Sequence, residues 1–126
     1  MSARQRGREK TDGMDLQITV RTENNVTIIT VQGEIDLYSS PSLRDSLIKA
    51  VKHARPKVVI VDLSGVTYTD SSGIATLVEG LQLANAVPAA FKLVGLSPAV
   101  SEVFQLVRLE RVFRLYATVE EALRDG

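Results

Sequence analysis

Cysteine is absent from the 126 residues, and histidine occurs once. Disulfides and thiolate metal sites are therefore excluded, a multi-histidine metal site has no ligands, and a reducing compartment is the natural setting. Tryptophan is also absent and aromatic residues make up only 5%. The chain thus lacks both the aromatic platform and the clustered Lys and Arg that would neutralise phosphates, and direct nucleic-acid binding is not expected. Long apolar runs are missing too. None approaches the roughly 18 residues of a membrane span, and the N-terminus has no apolar signal-peptide core, so the sequence reads as cytoplasmic. The glycines follow neither the lysine-containing nucleoside-triphosphate pattern nor the dinucleotide fingerprint.

What is present is the ordinary composition of one soluble domain, 44% hydrophobic and 24% charged, and a domain of this size buries about two-thirds of its unfolded surface without a covalent staple. Formal charge sums to zero, but Arg4, Arg6, Arg8 and Lys10 crowd the start and leave the body mildly acidic. Residues 1–14 read as a disordered basic extension and 15–126 as a single domain.

Leu16, Ile18 and Val20 alternate with Gln17, Thr19 and Arg21, the pattern of a strand with one buried face. Asn24 and Asn25 supply turn chemistry before a second strand over Val26 to Val31, giving an opening hairpin. Gly33 to Asp36 reads as a turn or bulge leading to a helix with Ser40 as N-cap, Pro41 in its first turn, and Leu43, Leu47, Ala50, Val51 and Ala54 on its apolar face, ended by Pro56. Val58 to Val61 is unbroken and β-branched, as expected of a strand covered on both faces. Asp62 to Asp70 reads as a polar loop with Leu63 and Val66 inward. A helix then starts at Ser71 or Ser72, with Ile74, Leu77, Val78 and Leu81 on one face. Phe91 to Val94 is a further strand, and Ser97-Pro98 opens a third helix with Val100, Val103, Phe104 and Val107 inward. A short strand over Val112 to Leu115 and a capping box from Thr118 to Glu121 before a helix containing Leu123 complete the chain. The alternation implies an α/β fold with a mixed, mostly parallel sheet, an opening β-hairpin and about four helices.

The junction Thr69-Asp70-Ser71-Ser72-Gly73 lies where an open α/β sheet carries its working loops. The following helix start favours an anion, so a phosphate on Ser72 suits the position, and Gly73 lacks a side chain that would obstruct another protein's approach to the hydroxyl. The plainer reading is that Thr69, Asp70 or a serine simply caps the helix. Nucleophilic catalysis is disfavoured, because the sole imidazole, His53, falls near the end of the first helix, and no enzyme is expected. Asp36 and Asp70 read as loop hydrogen-bonding residues that flank one surface.

The run from Val61 to Ile74, in which Asp-Ser-Ser-Gly-Ile follows Val-Asp-Leu-Ser-Gly-Val after three residues, together with Gly33-Glu34-Ile35-Asp36, Pro41-Ser42-Leu43-Arg44, Leu93-Val94-Gly95-Leu96-Ser97 and Val119-Glu120-Glu121-Ala122-Leu123, resembles the STAS domain of anti-sigma-factor antagonists and of sulphate-transporter tails. The resemblance implies a STAS-type fold from about Leu16 to Leu123. It further implies that an anti-sigma factor, itself a serine kinase, uses its own ATP to phosphorylate the loop serine, here Ser72 with Ser71 as second choice. Unphosphorylated antagonist binds the anti-sigma factor, and a serine phosphatase resets the switch; no cofactor or metal falls to this chain. Asp36, Thr69, Asp70, Ser71, Gly73 and Ile74 are the partner-binding candidates on this view, with the protein a monomer or weak dimer. The competing reading is a non-enzymatic accessory subunit of a signalling scaffold or of a lipid or ABC transport complex.

Overall fold

The computed structural model describes the backbone of residues 8–13 and the whole of residues 16–125. Its elements are β1 (Arg8–Gly13), β2 (Leu16–Glu23), β3 (Val26–Ile35), α1 (Ser40–Ala54), β4 (Val58–Thr69), α2 (Ser71–Ala86), β5 (Ala90–Val94), α3 (Pro98–Leu106), β6 (Arg114–Tyr116) and α4 (Val119–Arg124). They build a six-stranded sheet in sequence order. β1, β2 and β3 pair antiparallel, whereas β3 to β6 pair parallel wherever a helix intervenes. The mixed sheet and opening hairpin are those expected from the alternation of patterns. A disordered extension over 1–14 differs from the structure at Arg8–Gly13, whose backbone pairs with β2; residues 1–7 and 14 lie outside the described residues.

Period-2 alternation divides the apolar residues between two faces. Val59 and Val61 of β4 join Leu16, Ile18, Ile29, Val31, Phe91 and Leu93 in a main core, closed by Leu43 and Leu47 of α1, Leu77 of α2 and Phe104 of α3. Ile60 points the other way, into a smaller cluster with Val94 and with Ala122 of α4. The unbroken apolar run at the start of β4 is thus covered on both sides. The hairpin turn is made by Asn24 and Asn25, both at positive φ of 53° and 66°, the geometry of a type I′ turn that asparagine tolerates well.

Four local expectations are corrected. Residues 62–69 are not a loop: β4 runs on to Thr69 because β3 also extends, to Ile35, and offers it partners across two register shifts. The N-cap of α1 is Ser39 rather than Ser40. The last strand is Arg114–Tyr116, not 112–115, since Phe113 is drawn into the core, 5.6 Å from Phe104 and 6.2 Å from Phe91 between ring centroids. Val107, expected on the inward face of the third helix, lies past its end and is 51% exposed, whereas α4 contains Leu123 as expected, with Ala122 as its buried residue. The capping signal there holds, with Thr118 Oγ1 accepting from the Glu121 amide at 3.1 Å and the Glu121 carboxylate accepting from the Ala117 amide at 3.1 Å.

Lys92 is buried between strands and helix. It sits on β5 between two core residues, so alternation sends it to the small-cluster face, where its Nζ donates to the carbonyls of Ala122 (2.7 Å) and Asp125 and stands 5.3 Å from the centre of the Tyr116 ring. Burial, with repulsion from Arg114, lowers its pKa against an opposing pull from Asp125. The lysine clasps the end of α4 to the sheet. Lys92→Ala strips a charged donor from two helix-end carbonyls and is expected to cost roughly 1.5 to 3 kcal/mol, read as a lower urea midpoint.

Candidate functional site

The carboxyl ends of β3 and β4 lie side by side, with Ile35 opposite Thr69, and each strand leads directly into a loop and a helix. At the end of β4, Asp70 takes an extended backbone and caps α2. Its Oδ1 accepts from the Ser72 amide (2.9 Å), the Gly73 amide (3.3 Å) and the Ser72 hydroxyl (2.6 Å). Its own amide donates to the Ile35 carbonyl at 3.1 Å, which ties the loop to β3. Partial burial pushes the Asp70 carboxyl up, but hydrogen bonds from Ser72 and from the Gly73, Ser72 and Leu37 amides outweigh it and hold the pKa below the ordinary value. One carboxylate therefore fixes the serine and reaches across to the β3–α1 turn.

That turn is organised by the other expected aspartate. Asp36 Oδ1 accepts from the amides of Tyr38 (3.0 Å) and Ser39 (2.9 Å). The Ser39 hydroxyl accepts from the Asp36 amide and donates to the Glu34 carbonyl, both at 2.9 Å, and the Ser40 amide donates to the Asp36 carbonyl at 2.8 Å. The structure thus brings Asp36 and Asp70 to one surface, each in a loop hydrogen-bonding role. It does not bring His53 there: that residue is exposed in the last turn of α1, at the far end of the helix from Ser40.

The remaining candidates separate by exposure. Ser71 is exposed and Ser72 half-buried at the first turn of α2, with the Ser72 carbonyl accepting from Thr76 Oγ1 at 2.9 Å. Thr69, Gly73 and Ile74 are buried; in this conformation they support the loop from beneath instead of presenting side chains to a partner. Gly73 in particular is corrected. Its missing side chain faces inward, where a Cβ would lie 2.2 Å from Thr69 Oγ1 and 2.7 Å from Ile35 Cγ2. Glycine is required so that α2 can close onto the strand ends.

Sequence reasoning missed the apolar rim. Leu37 is 68% exposed, Tyr38 77% and Tyr68 49%, and Tyr68 pairs with Glu34 across β3 and β4 beside the loops. The available signal was that Leu37-Tyr38 falls between an aspartate turn and a helix cap, outside any buried period. Exposed aromatic residues around a polar loop suit a protein partner better than a small ligand. A groove of about 400 Å³ lined by Ser40, Pro41, Arg44, Asp45 and Thr76 opens next to this rim.

The cap has a pH signature. A carboxylate whose folded pKa is depressed contributes stability that is complete above its unfolded value, about 3.9, and is lost as pH falls through the lower folded value. Asp70→Asn, which retains a capping oxygen without the charge, is expected to flatten the acid limb of the stability curve. Urea midpoints measured from neutral pH downward check this; parallel acid limbs would contradict it.

Comparison with known proteins agrees with the geometry. The model of the STAS domain family matches residues 17–122. The anti-sigma-F factor antagonist RsfB of Mycobacterium tuberculosis is 28% identical over 109 residues, covering 86% of this chain and 87% of that one. The anti-sigma-B factor antagonist of Bacillus subtilis is 26% identical over 107 residues, covering 85% and 96%. Among solved structures, an anti-sigma-factor antagonist (STAS) domain protein from Planctomyces limnophilus superposes with a TM-score of 0.76 at 30% identity, covering 84% and 94%. With a match spanning nearly all of the described fold, and relatives of nearly equal extent that are named anti-sigma-factor antagonists, the chain belongs to the STAS domain family.

Proposed function

We propose that this protein is an anti-sigma-factor antagonist whose docking is switched by phosphorylation of Ser72. In its unphosphorylated form it binds an anti-sigma factor that is also a serine kinase, and so releases a sigma factor for transcription. The kinase transfers the γ-phosphoryl group of its ATP to Ser72 Oγ; the O–P bond forms, ADP leaves and the hydroxyl proton is lost. A serine phosphatase hydrolyses the ester and resets the protein. The chain itself acts by binding, in the cytoplasm, with the nucleotide on the kinase side.

The observation that carries this reading is the Asp70–Ser72 pair. The hydroxyl is fixed at 2.6 Å from the carboxylate, at a half-buried position on a helix start beside exposed Leu37, Tyr38 and Tyr68. Esterification removes the donor in that bond and sets about −1.5 to −2 charge at the end of the sheet that carries the apolar docking rim. The helix start tolerates an added anion, so the fold survives while the docking surface gains negative charge. Ser71 is the alternative acceptor, more exposed but without the aspartate contact.

Incubation with ATP and each candidate serine-kinase anti-sigma factor of the same genome, followed by intact-mass and peptide mapping, tests the proposal. One phosphate on Ser72 is the expected result. No phosphate from any such kinase, together with co-purification of the chain with a permease and its ATPase, would replace the switch with an accessory role in transport.

A further inference from the structure

The parallel strands give the molecule two chemically distinct ends. At the carboxyl ends of β3 and β4 stand Glu34, Asp36 and Asp70, with the exposed side chains of Leu37, Tyr38 and Tyr68 between them. No Lys or Arg occurs from Gly33 to Leu43 or from Val58 to Val78, and Arg44, in the groove beside this end, is paired with Glu79 at 2.8 Å. The opposite end is basic. It collects Lys52 and His53 from the last turn of α1, Arg55 and Lys57 ahead of β4, and Arg108 and Arg111 from the turns between α3 and β6, which outnumber the carboxylates there, Glu110 between the two arginines and Glu23 at the hairpin. Apolar residues are exposed there as well: Leu106 is 79% exposed, Val107 51% and Val112 49%. Backbone bonds from Arg108 to Gln105, Leu109 to Phe104 and Val112 to Leu109 fold this segment into consecutive turns, so its arginines and aliphatic residues form one patch.

We propose that the chain associates with itself head to tail, the acidic apolar end of one copy seating the basic apolar end of the next. The occupant follows from charge. A two-fold pairing through either end sets like charges against each other, which is costly, whereas translation along the strand direction sets unlike charges together with apolar residues on both sides. Because the two patches lie at opposite ends of the sheet, one copy uses both at once, and the contact is heterologous and open to continuation. The head overlaps the surface assigned above to the anti-sigma factor, but self-association needs neither phosphate nor kinase, so the two readings stand or fall separately. Surface charges supply much of the attraction, and the Debye length shrinks from about 30 Å to about 3 Å between 0.01 M and 1 M salt, so the assembly is salt-sensitive.

Sedimentation velocity on the full chain at low ionic strength tests this. The weight-average sedimentation coefficient is expected to rise with protein concentration and to return to the monomer value at high salt. A tail variant, Leu106→Ser with Arg111→Gln, and a head variant, Glu34→Gln with Tyr38→Ser, replace exposed side chains only, and each is expected to stay monomeric alone. Mixed one to one, they retain one intact head and one intact tail between them and are expected to form a species that stops at a dimer. A wild-type chain that is monomeric at every concentration overturns the proposal. So does a mixture that remains monomeric, the result for patches that receive a different protein, and so does either variant dimerising alone, the result for a symmetric contact.

Discussion

Ser72→Asp is expected to weaken binding of the anti-sigma factor about a hundredfold, while Ser72→Ala retains nearly full affinity. The expectation rests on where the charge lands. Position 72 is in the first turn of α2, two residues from Asp70 and beside the exposed Leu37, Tyr38 and Tyr68. An added carboxylate there is stabilised by the helix start, so the folded state is kept. The same carboxylate must be desolvated or opposed by a partner that docks on the rim, and such mismatches in interfaces cost several kcal/mol. Roughly 3 kcal/mol corresponds to about a hundredfold in dissociation constant. Alanine removes only the hydroxyl and its bond to Asp70 and adds no charge to the rim. Titration calorimetry of both variants against one kinase separates the two cases, and equal weakening by alanine and aspartate would assign the effect to lost packing instead of charge.

Gly73→Ala is expected to destabilise the domain by about 1 to 3 kcal/mol, the range for overpacking a well-filled site. The added methyl would meet Thr69 Oγ1 at 2.2 Å and Ile35 Cγ2 at 2.7 Å, and neither belongs to a flexible side chain with room to swing. Relief requires α2 to lift from the strand ends, which also displaces the amides of Ser72 and Gly73 from Asp70. The effect is therefore both global and local: a lower urea midpoint and altered Ser72 reactivity. Adding Thr69→Ala removes the nearest obstruction, and the double variant is expected to recover part of the loss. A Gly73→Ala protein as stable as the parent would show that the helix start has slack that its contacts do not suggest.

Much of this fold was readable where local pattern and tertiary environment agree. The alternation of Leu16, Ile18 and Val20, the asparagine turn, the apolar run at Val58 and the i, i+3, i+4 spacing after Ser71 all carry their structure in their own periodicity. Misreadings arose where a distant partner decides. The Ser, Gly and Thr residues from Asp62 to Thr69 have loop composition, yet they are a strand because β3 extends to Ile35 beside them, a tertiary override of weak strand preference. Phe113 leaves the final strand for the core because Phe104 and Phe91 await it. In the site, Asp70 and Ser72 were legible because a strand-to-helix junction announces its cap. Gly73 was legible as special but not in which direction, since only the contact of α2 with Thr69 and Ile35 shows that its bare side faces inward. Leu37 and Tyr38 left only the weak signal of lying outside any buried period, and Tyr68 left none, because exposure is a property of the assembled surface and not of local sequence.

The central claim is that charge on one hydroxyl decides which protein docks, and a single preparation tests it most directly. The affinity of the chain for its anti-sigma factor is measured before phosphate transfer, after transfer with Ser72 confirmed as the modified residue, and again after phosphatase treatment. The account predicts about a hundredfold loss on phosphorylation and full recovery on its removal, matching the roughly 3 kcal/mol argued for Ser72→Asp. An affinity unchanged by a phosphate on Ser72 would contradict it.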